Sequence, residues 1–434
     1  MDWKSFEKYV KEIMEEENIA GVAIGVSKHG KTIYKKGFGV SNKQTKDPVD
    51  SGTIFGIASI TKSFTALAIM QLQQEGKLSV DDPVIKYLPE FKLCGVEDMS
   101  GIKIHHLLSH TTGCPPMKRR QELNKLKEHL KYLANEQCKI LGRPGDYLSY
   151  CNDTFLLLGA IIERVTGKLY RRHITEAILD PLKMYRSTFS LEEVEKYENV
   201  SVPYNYNSKE KQLEKQSWPV LGNYEVGGGI RSCIDDLLNY GEVYVQDSVI
   251  IDRKSISKMY QPVYKIDKDS FYGYALKSTI NYNGVTLVEH GGGQPGVSSN
   301  FGFIPEEEAV IAVLTNVGGV SAGKIWMAVV NTMLGLPLEY NQRKEPYPYY
   351  NLTPRELEVL TGKYKSAEGQ GLTITIKEGK PIAKIGEKIY ELRASTKDTL
   401  VLKQKERPIK FYLDKEGKPW AVLLGMRMLH KENK

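Results

Sequence analysis

The spacing of hydrophobic and polar residues at the start of the chain predicts one helix followed by one strand pair. Between Trp3 and Ile13, apolar side chains recur at helical intervals within a strongly charged stretch, which predicts an amphipathic helix. Residues 22–28 and 31–39 alternate between apolar and polar positions around a His-Gly pair, as the two strands of a β-hairpin do. The chain is therefore expected to begin with a helix and a hairpin.

Three further stretches have the pattern of helices, and three later ones have the composition of strands. The segment after Ser59 predicts a helix over 60–75 that stops near Gly76, where a glycine suits the C-cap. Residues 118–134 predict an amphipathic helix, and the almost wholly apolar 154–165 predicts a buried one. Strand-like runs occupy 285–289, 300–304 and 309–315. Together with the hairpin they predict an α+β domain in which helices flank a mainly antiparallel sheet.

The character of the sequence changes near residue 341. Residues 341–351, NQRKEPYPYYN, combine prolines, tyrosines and charges without any period, which predicts a linker. Thr353 and Glu356 then fit a capping box that opens a short helix. From 362 to 425, short alternating strands are separated by turn residues, which predicts a small antiparallel β-barrel. The predicted organisation is an α+β domain over 1–340, a linker over 341–351 and a barrel domain over 352–434.

Composition narrows the class of protein. The 434 residues are 41% hydrophobic and 26% charged, as in ordinary globular chains, and they are too many for one typical domain. No apolar run reaches the ~18 residues of a membrane span, and the charged N-terminus lacks the apolar core of a secretory signal. We therefore expect a cytoplasmic protein. The five scattered cysteines, with no CxxC pair, favour reduced thiols over a disulfide framework.

Neither nucleic acid nor a metal ion is an expected partner. The net charge of +7 is spread over 60 basic and 53 acidic residues, and the basic clusters at 118–120 and 171–172 are typical of solvated surface. His106 and His110 have the i, i+4 spacing of a zinc-binding pair, with His105 beside them. No HExxH pattern and no nearby acidic third ligand accompany them, so we expect no bound metal.

Ser59 and Lys62 are a candidate nucleophile and base at the start of the 60–75 helix. The backbone N–H groups and the dipole at a helix N-terminus favour negative charge that develops there. A lysine three positions later shares the face of the serine and, when buried and partly neutral, can accept its proton. Taken alone, this four-residue pattern is better explained by a capping serine and a surface lysine.

Two later motifs carry further polar groups. The first motif contains Tyr150 and Asn152. A phenol next to an ammonium group can lose part of its proton affinity and relay protons, and a nearby amide can orient a substrate carbonyl. In the second, a histidine is expected to end a strand, and the glycines after it would admit a substrate and expose backbone N–H groups to an oxyanion. Alone, these motifs also fit a core-edge tyrosine, an N-cap asparagine and a hairpin turn. Their residues are Tyr150, Asn152, His290, Gly291, Gly292 and Gly293.

In this order, Ser-x-x-Lys, Tyr-x-Asn and a basic residue before glycines resemble the three motifs of the serine β-lactamase and penicillin-binding-protein superfamily. The chain is similar to the branch that holds class C β-lactamases, D,D-carboxypeptidases, D-aminopeptidases and related esterases. The segments LLSHTTG (107–113) and VGGGIRSCIDDLLNY (226–240) match that branch too, and the resemblance covers roughly residues 5–337. The part after residue 352 resembles the lipocalin-like domain often appended in this branch.

The resemblance implies a fold and a role for each motif. The fold would be an antiparallel sheet flanked by helices, with an all-helical subdomain, followed by the small β-barrel. Ser59 would be the acylated nucleophile, while Lys62 and Tyr150 would share the general-base work and the protonation of the leaving group. Asn152 would bind the substrate carbonyl beside the lysine. His290 would lie near the tyrosine and tune its phenol.

The same resemblance places the N–H groups of Ser59 and Gly293 in the oxyanion hole. The chain departs from the family pattern where His290 replaces a lysine and Gly291 replaces a hydroxyl residue. A neutral imidazole and a glycine should hold a carboxylate less well, which shifts the expectation from β-lactamase toward peptidase or esterase. Cys151 replaces the usual serine of the tyrosine motif, and its side chain is expected to point away from the site.

The sequence thus predicts a serine hydrolase that forms an acyl-Ser59 intermediate with short peptides, including those with D-residues, or with small esters. It requires no metal or organic cofactor. A β-lactamase or penicillin-binding D,D-peptidase is the alternative within the superfamily, and a non-catalytic sensor or scaffold is the alternative outside it. The expected partner is the small-molecule or short-peptide substrate, and a homo-oligomer is compatible with the sequence. The 118–134 helix is either a surface helix docked by its leucines or a lid over the cleft.

Overall fold

The computed structural model describes residues 1–342 and 346–432. Its α-helices are α1 Trp3–Glu16, α2 Thr61–Gln74, α3 Ile104–Leu108, α4 Leu126–Asn135, α5 Asn152–Phe155, α6 Leu157–Thr166, α7 Tyr170–Ile174, α8 Leu191–Val194, α9 Ile234–Val245, α10 Arg253–Tyr260, α11 Ala322–Leu334 and α12 Pro354–Val359. Its strands up to residue 340 are β1 Gly21–Lys28, β2 Lys31–Gly39, β3 Phe55–Gly56, β4 Tyr204–Asn207, β5 Gln212–Lys215, β6 Arg231–Ser232, β7 Tyr264–Asp267, β8 Ser270–Tyr272, β9 Lys277–Tyr282, β10 Val285–Gln294, β11 Val297–Ile304, β12 Ala309–Thr315 and β13 Val317–Gly318. The later strands are β14 Gly362–Lys365, β15 Gly371–Lys377, β16 Lys380–Ile385, β17 Lys388–Thr396, β18 Thr399–Leu402, β19 Arg407–Leu413, β20 Pro419–Leu424 and β21 Arg427–Lys431.

The central sheet has the order β2-β1-β12-β11-β10-β9-β8-β7, and its neighbouring strands are all antiparallel. The predicted hairpin is the β1–β2 pair, and its turn residues His29 and Gly30 have positive φ values of 50° and 70°. Strand β1 pairs with β12, with Val22 opposite Thr315. The early hairpin and the late strands therefore form one sheet, as the α+β prediction required.

Both faces of this sheet are covered, which explains why its central strands are continuously apolar. Along β12, Val310 and Leu314 belong to a cluster with side chains of α2, α6 and α9. Their neighbours Ile311 and Val313 belong to a second cluster with side chains of α1 and α11. Since successive residues of a strand point to opposite faces, a strand buried on both sides loses the polar alternation of an exposed one.

Helix α2 positions the first motif and is buried over most of its length, from Thr61 to Leu72. It contacts α6 and α10, which lie in the helical part of the chain. The predicted 60–75 helix is confirmed, and Gly76 follows its end with a φ of 70°. The apolar 154–165 stretch is also helical, divided between α5 and α6. No helix of the described residues combines the length and apolar character needed to cross a membrane.

The predicted 118–134 helix is wrong in its first half, because the helix begins only at Leu126. The backbone carbonyl of Leu123 accepts a hydrogen bond from the N–H of Asn223, 3.0 Å away, instead of taking part in a helical turn. The remaining helix, α4, buries Leu130 and Leu133 as the pattern indicated. Residues 118–125 are a non-helical segment that passes along the candidate site.

The expectation that His290 ends a strand is also wrong. Strand β10 continues to Gln294, and its glycines pair with Asn300, Ser299 and Ser298 of β11. A side chain at Gly292 would collide with the carbonyl oxygen of Ile57 and with the Ser299 hydroxyl, whereas a methyl group at Gly293 would meet no atom within 4 Å. The glycine run therefore lets the strand lie directly against the turn that carries Ser59.

The C-terminal strands β14 to β21 form a closed antiparallel barrel around an apolar interior. The predicted capping box is present, since Thr353 and Glu356 cap α12 reciprocally. The predicted linker, 341–351, includes 343–345, which lie outside the described residues. The domain boundaries at 340 and 352 stay predictions.

One end of the barrel packs against the second motif of the α+β unit. The N–H of Tyr150 donates to the carbonyl oxygen of Met426 at 2.6 Å, and the N–H of Met428 donates to the Ser149 hydroxyl at 3.2 Å. Beside these bonds, Leu141 joins an apolar cluster with Leu423 of the barrel. The barrel thus contacts the tyrosine motif directly.

The close approach at Gly292 gives the first testable prediction. Gly292→Ala should lower the free energy of unfolding by about 1–3 kcal/mol, because the added methyl group forces the strand and the Ser59 turn apart. Gly293→Ala is the matched control and should change the free energy of unfolding by no more than about 0.5 kcal/mol. Calorimetric unfolding of both variants measures the difference. Equal unfolding midpoints would contradict the packing described here.

Candidate active site

Ser59 lies in a short 3₁₀ turn, Ala58–Ile60, that leads directly into α2. Lys62 is in the first turn of that helix, and its Nζ lies 3.4 Å from the Ser59 Oγ. The same Nζ donates a hydrogen bond to the carbonyl oxygen of Gly227 at 2.8 Å. The lysine is therefore turned inward toward the serine, in contrast to the solvated surface lysine that the isolated pattern also allowed.

The environment of Lys62 favours its neutral form. The residue is only 1% exposed, and no carboxylate of the described residues lies within ion-pair distance of it. Burial, with smaller contributions from the guanidinium groups of Arg119 and Arg427, lowers the pKa of Lys62 to about 7. Near neutral pH, a large fraction of the lysine is an amine that can accept a proton.

Tyr150 is the third member of this cluster. The Lys62 Nζ lies 5.0 Å from the centre of the Tyr150 ring. Within the described residues, the buried Tyr150 hydroxyl has no hydrogen bond of standard geometry. Burial raises its pKa to about 12, and the nearby Ser59 hydroxyl opposes that rise. A neighbouring ammonium was expected to weaken the phenol's hold on its proton, but here burial raises the pKa of the phenol.

Two aromatic or cationic neighbours hold the Tyr150 ring. The imidazole of His110 packs on it with ring centres 4.1 Å apart, and the Arg427 guanidinium lies 4.9 Å from the ring centre. The His110 Nδ1 also accepts a hydrogen bond from the N–H of Cys151 at 3.3 Å. His106 makes a separate bond, in which its Nδ1 accepts from the N–H of Lys103 at 3.0 Å. The histidines that resembled a zinc pair are thus each engaged in packing or backbone contacts.

Asn152 follows at the start of α5, and its partner comes from the barrel. Its Nδ2 donates to the Glu368 Oε1 at 2.9 Å, and the Glu368 Oε2 accepts from the Arg427 Nε at 2.8 Å. At the pocket, the Asn152 amide is therefore bonded to the Glu368 carboxylate and not directly to Lys62. Cys151 is fully buried, and burial raises the pKa of its thiol to about 12, so it is held as a protonated thiol.

His290 lies behind the tyrosine, with ring centres 6.2 Å apart. Its Nδ1 is 2.7 Å from the carbonyl oxygen of Gly291, which can only accept, so this nitrogen carries the proton. Its Nε2 then accepts from the Tyr272 hydroxyl at 3.2 Å. Burial, with a smaller contribution from nearby Lys62, lowers the pKa of His290 to about 4. The ring is neutral at pH 7, with both nitrogens occupied.

The candidate pocket is small, with a cavity volume of about 80 Å³. Of the sequence-predicted residues, Ser59, Asn152 and Gly293 line it. Lys62, Tyr150 and His290 are buried behind that lining. Among the described residues, no group of three or more histidine, cysteine, aspartate or glutamate side chains is arranged to hold a metal ion.

The three charged residues that line the pocket were not predicted from the sequence. Arg119 belongs to the 118–120 basic cluster, which was expected to be solvated surface, yet it lines the pocket and its guanidinium lies 4.7 Å from the Tyr224 ring centre. Glu368 comes from the turn between β14 and β15 of the barrel, and Arg427 is the first residue of β21. Neither belongs to a recognisable motif, so only the packing of the barrel on the tyrosine motif reveals them.

Comparisons with known proteins agree with this geometry. The protein named Flp of Staphylococcus aureus is 32% identical over 191 residues, which are 43% of this chain and 38% of the Flp chain. Penicillin-binding protein 4* of Bacillus subtilis is 24% identical over 417 residues, which are 91% of this chain and 90% of its own. The match to Flp thus spans well under half of that relative.

A solved structure resembles the whole chain. The octameric penicillin-binding protein homologue from Pyrococcus abyssi superimposes with a TM-score of 0.75 at 29% sequence identity, over 99% of this chain and 100% of the other. The family model described as Beta-lactamase matches residues 6–332, three quarters of the chain. Its match ends before the barrel begins. The chain therefore belongs to the beta-lactamase family, in which an α+β domain with Ser-x-x-Lys and Tyr-x-Asn motifs is followed here by a closed β-barrel.

Proposed function

We propose that this protein is a serine hydrolase that works through an acyl-Ser59 intermediate. The observation that carries the proposal is the buried Lys62, whose Nζ lies 3.4 Å from the Ser59 Oγ and whose pKa is lowered to about 7. A surface lysine would be fully protonated at neutral pH and could not act as a base. A non-catalytic scaffold has no need for such a lysine, since burying an unpaired ammonium destabilises the fold.

The proposed reaction has two halves. In acylation, the Lys62 amine takes the Ser59 proton while Oγ attacks the substrate carbonyl, and the N–H groups of Ser59 and Gly293 stabilise the oxyanion. The leaving group then departs with a proton relayed from the Lys62 ammonium through Tyr150. In deacylation, the same groups take a proton from water, which attacks the ester and restores the serine. Because its pKa is raised, Tyr150 acts as a protonated relay and not as a standing phenolate.

The proposed substrates are short peptides, including those with D-residues, or small esters. A pocket of about 80 Å³ admits only a small group beside Ser59. Asn152 and Glu368 offer it an amide and a carboxylate, which suit a substrate carbonyl and an ammonium group. This part of the proposal concerns substrate choice alone, and the acylation chemistry does not depend on it.

The second candidate is a β-lactamase or penicillin-binding D,D-peptidase, whose substrates carry a free carboxylate. The guanidinium groups of Arg119 and Arg427 at the pocket favour it, since they supply positive charge that neutral His290 does not. The name of the Bacillus subtilis relative, a penicillin-binding protein, makes a penicillin the natural probe.

The octameric state stated for the Pyrococcus abyssi homologue supports a homo-oligomer, which a measurement of the protein's mass in solution would test.

A penicillin tests the nucleophile directly. Brief exposure of the wild-type chain should add the mass of one whole penicillin, because ring opening leaves the drug attached to the Ser59 oxygen. Ser59→Ala should show no added mass, and intact-protein mass spectrometry measures both. Thr61→Ala serves as the hydroxyl control within the same turn and should still be labelled.

The outcomes separate the candidates. An adduct that persists favours the penicillin-binding D,D-peptidase, and opened penicillin without an adduct favours the β-lactamase. If the penicillin stays intact, small esters and D-aminoacyl amides are tested next with the same Ser59→Ala comparison. Equal turnover by wild type and Ser59→Ala on every substrate would contradict the proposal.

The lowered pKa of Lys62 predicts the pH dependence. Below pH 7 the lysine is protonated and cannot accept the Ser59 proton, so kcat/KM should rise with pH through an inflection near 7. Arg427→Gln removes a neighbouring cation that disfavours the ammonium form, so the inflection should move to higher pH. Arg143→Gln, whose side chain is 89% exposed, is the control and should leave the inflection in place. An inflection that does not move in Arg427→Gln would contradict this assignment.

A further inference from the structure

A second and much larger cavity lies at the end of the barrel that faces the α+β unit. Its volume is about 1010 Å³, at the upper end of the range of small-ligand sites. The turns at 366–370, 386–387, 403–406 and 425–426 join strands at this end of the barrel. Four residues around β7 to β9 line the opposite wall: Ile266, Asp267, Ser270 and Lys277. The cavity therefore lies between the two parts of the chain, beside the candidate catalytic pocket.

The cavity wall is strongly basic. Its carboxylates are Asp267 and Glu432. Its cationic side chains are Lys277, Lys363, Lys365, Lys384, Arg407, Lys410 and Arg427. The lining thus has seven cationic residues against two carboxylates, while the whole chain has a net charge of only +7. Most of the net positive charge of the chain therefore lies on this one surface. Such a wall raises the local concentration of anions.

Some of these cations have partners, but the partners do not neutralise the cavity. Lys277 pairs with Glu289 at 3.6 Å, Lys384 with Glu387 at 3.8 Å and Arg427 with Glu368 at 2.8 Å, and none of these glutamates lines the cavity. Asp267 and Glu432 are outnumbered by the remaining cations. The cavity wall therefore keeps an excess of positive charge after its ion pairs are taken into account.

Arg407 is the strongest single observation. Its side chain is exposed at the cavity wall, and the protein atoms around its guanidinium lower the pKa of the group. No carboxylate of the described residues is within ion-pair distance of it. The guanidinium packs over the turn at Gly425, where a side chain would collide with its Nη2. An exposed guanidinium without a carboxylate partner among the described residues can pair with an anionic ligand that enters the cavity.

The spread of the cations indicates the kind of anion. They lie on several strands and do not converge on one point, as they would around a single phosphate. Apolar residues line the same cavity, including Leu372, Leu424 and Met426. A short peptide with alternating acidic and apolar side chains matches both features. Since Arg427 lines this cavity as well as the catalytic pocket, a carboxylate bound here also reaches the wall of the candidate active site.

We propose that the cavity at the barrel end binds a short acidic peptide, either as an extension of the substrate or as a separate ligand. The binding itself goes beyond the proposed hydrolase function. Only the possibility that the peptide is part of the substrate rests on the proposed hydrolase function.

The direct test is binding to the full-length Ser59→Ala variant, which does not depend on hydrolysis. Isothermal titration calorimetry compares acetyl-(Glu-Leu)₃-amide with the neutral acetyl-(Gln-Leu)₃-amide at low ionic strength. The acidic peptide should bind at least tenfold more tightly, and that advantage should shrink in 0.5 M salt, because exposed charges are then screened within about 3–5 Å. Equal affinity for the two peptides would overturn the proposal.

Matched substitutions locate the site. Arg407→Gln and Lys410→Gln, each added to Ser59→Ala, should weaken binding of the acidic peptide about tenfold, since each removes a charge-assisted contact. Lys415→Gln removes the same charge in the turn before β20, outside the cavity lining, and should change the affinity less than twofold. Arg407→Lys keeps the charge and should retain most of the binding, which separates loss of charge from loss of folding. Equal weakening by the cavity variants and by Lys415→Gln would also overturn the proposal.

Wild-type hydrolysis then distinguishes the two sources. If a Glu-Leu extension lowers the KM of a substrate relative to a Gln-Leu extension, the cavity binds part of the substrate. If the free acidic peptide binds but the extension leaves KM unchanged, the ligand is a separate peptide. Absence of hydrolysis combined with tight acidic-peptide binding would reject the proposed function and retain this site.

Discussion

The burial of Lys62 is the constraint on which the rest of the candidate site depends. An ammonium group removed from water without a carboxylate partner is unstable, so the protein must either neutralise it or unfold around it. Here it is held between a carbonyl oxygen and the Ser59 hydroxyl, and two guanidinium groups at the pocket push it toward the neutral amine. The continuous burial of α2 is the structural requirement for this, because only an enclosed helix can hold its lysine in such a place.

The barrel is part of the wall of that enclosure. Its turn at Met426 hydrogen-bonds the backbone of Tyr150, and Arg427 lies over the face of the same ring. Glu368, from another turn, occupies the amide of Asn152. The family match ends at residue 332, so these contacts are additions to the part of the chain that the family model describes. Removing the barrel would therefore change the solvation of the tyrosine motif as well as the shape of the pocket.

Much of this arrangement could be predicted from local sequence, and the failures have a common cause. The hairpin, α2 and the barrel strands follow from periodicity and turn residues, and the spacing of Ser59 and Lys62 brings their side chains together within one helical turn. The 118–134 helix starts late because the Leu123 carbonyl bonds to a residue a hundred positions away. Glu368 and Arg427 reach the pocket through the docking of the barrel, and no local pattern encodes that contact.

The same distinction applies to the charge of the pocket. From the sequence, replacing the family's lysine by His290 suggested a weaker grip on a substrate carboxylate. In the structure the imidazole is neutral and fully hydrogen-bonded, so it contributes structure and no charge. Positive charge faces the pocket from Arg119 and Arg427 instead, on a loop and on the barrel. The positive charge of the candidate pocket therefore belongs to segments that can vary in sequence without disturbing the strand and helix that position Ser59 and Lys62.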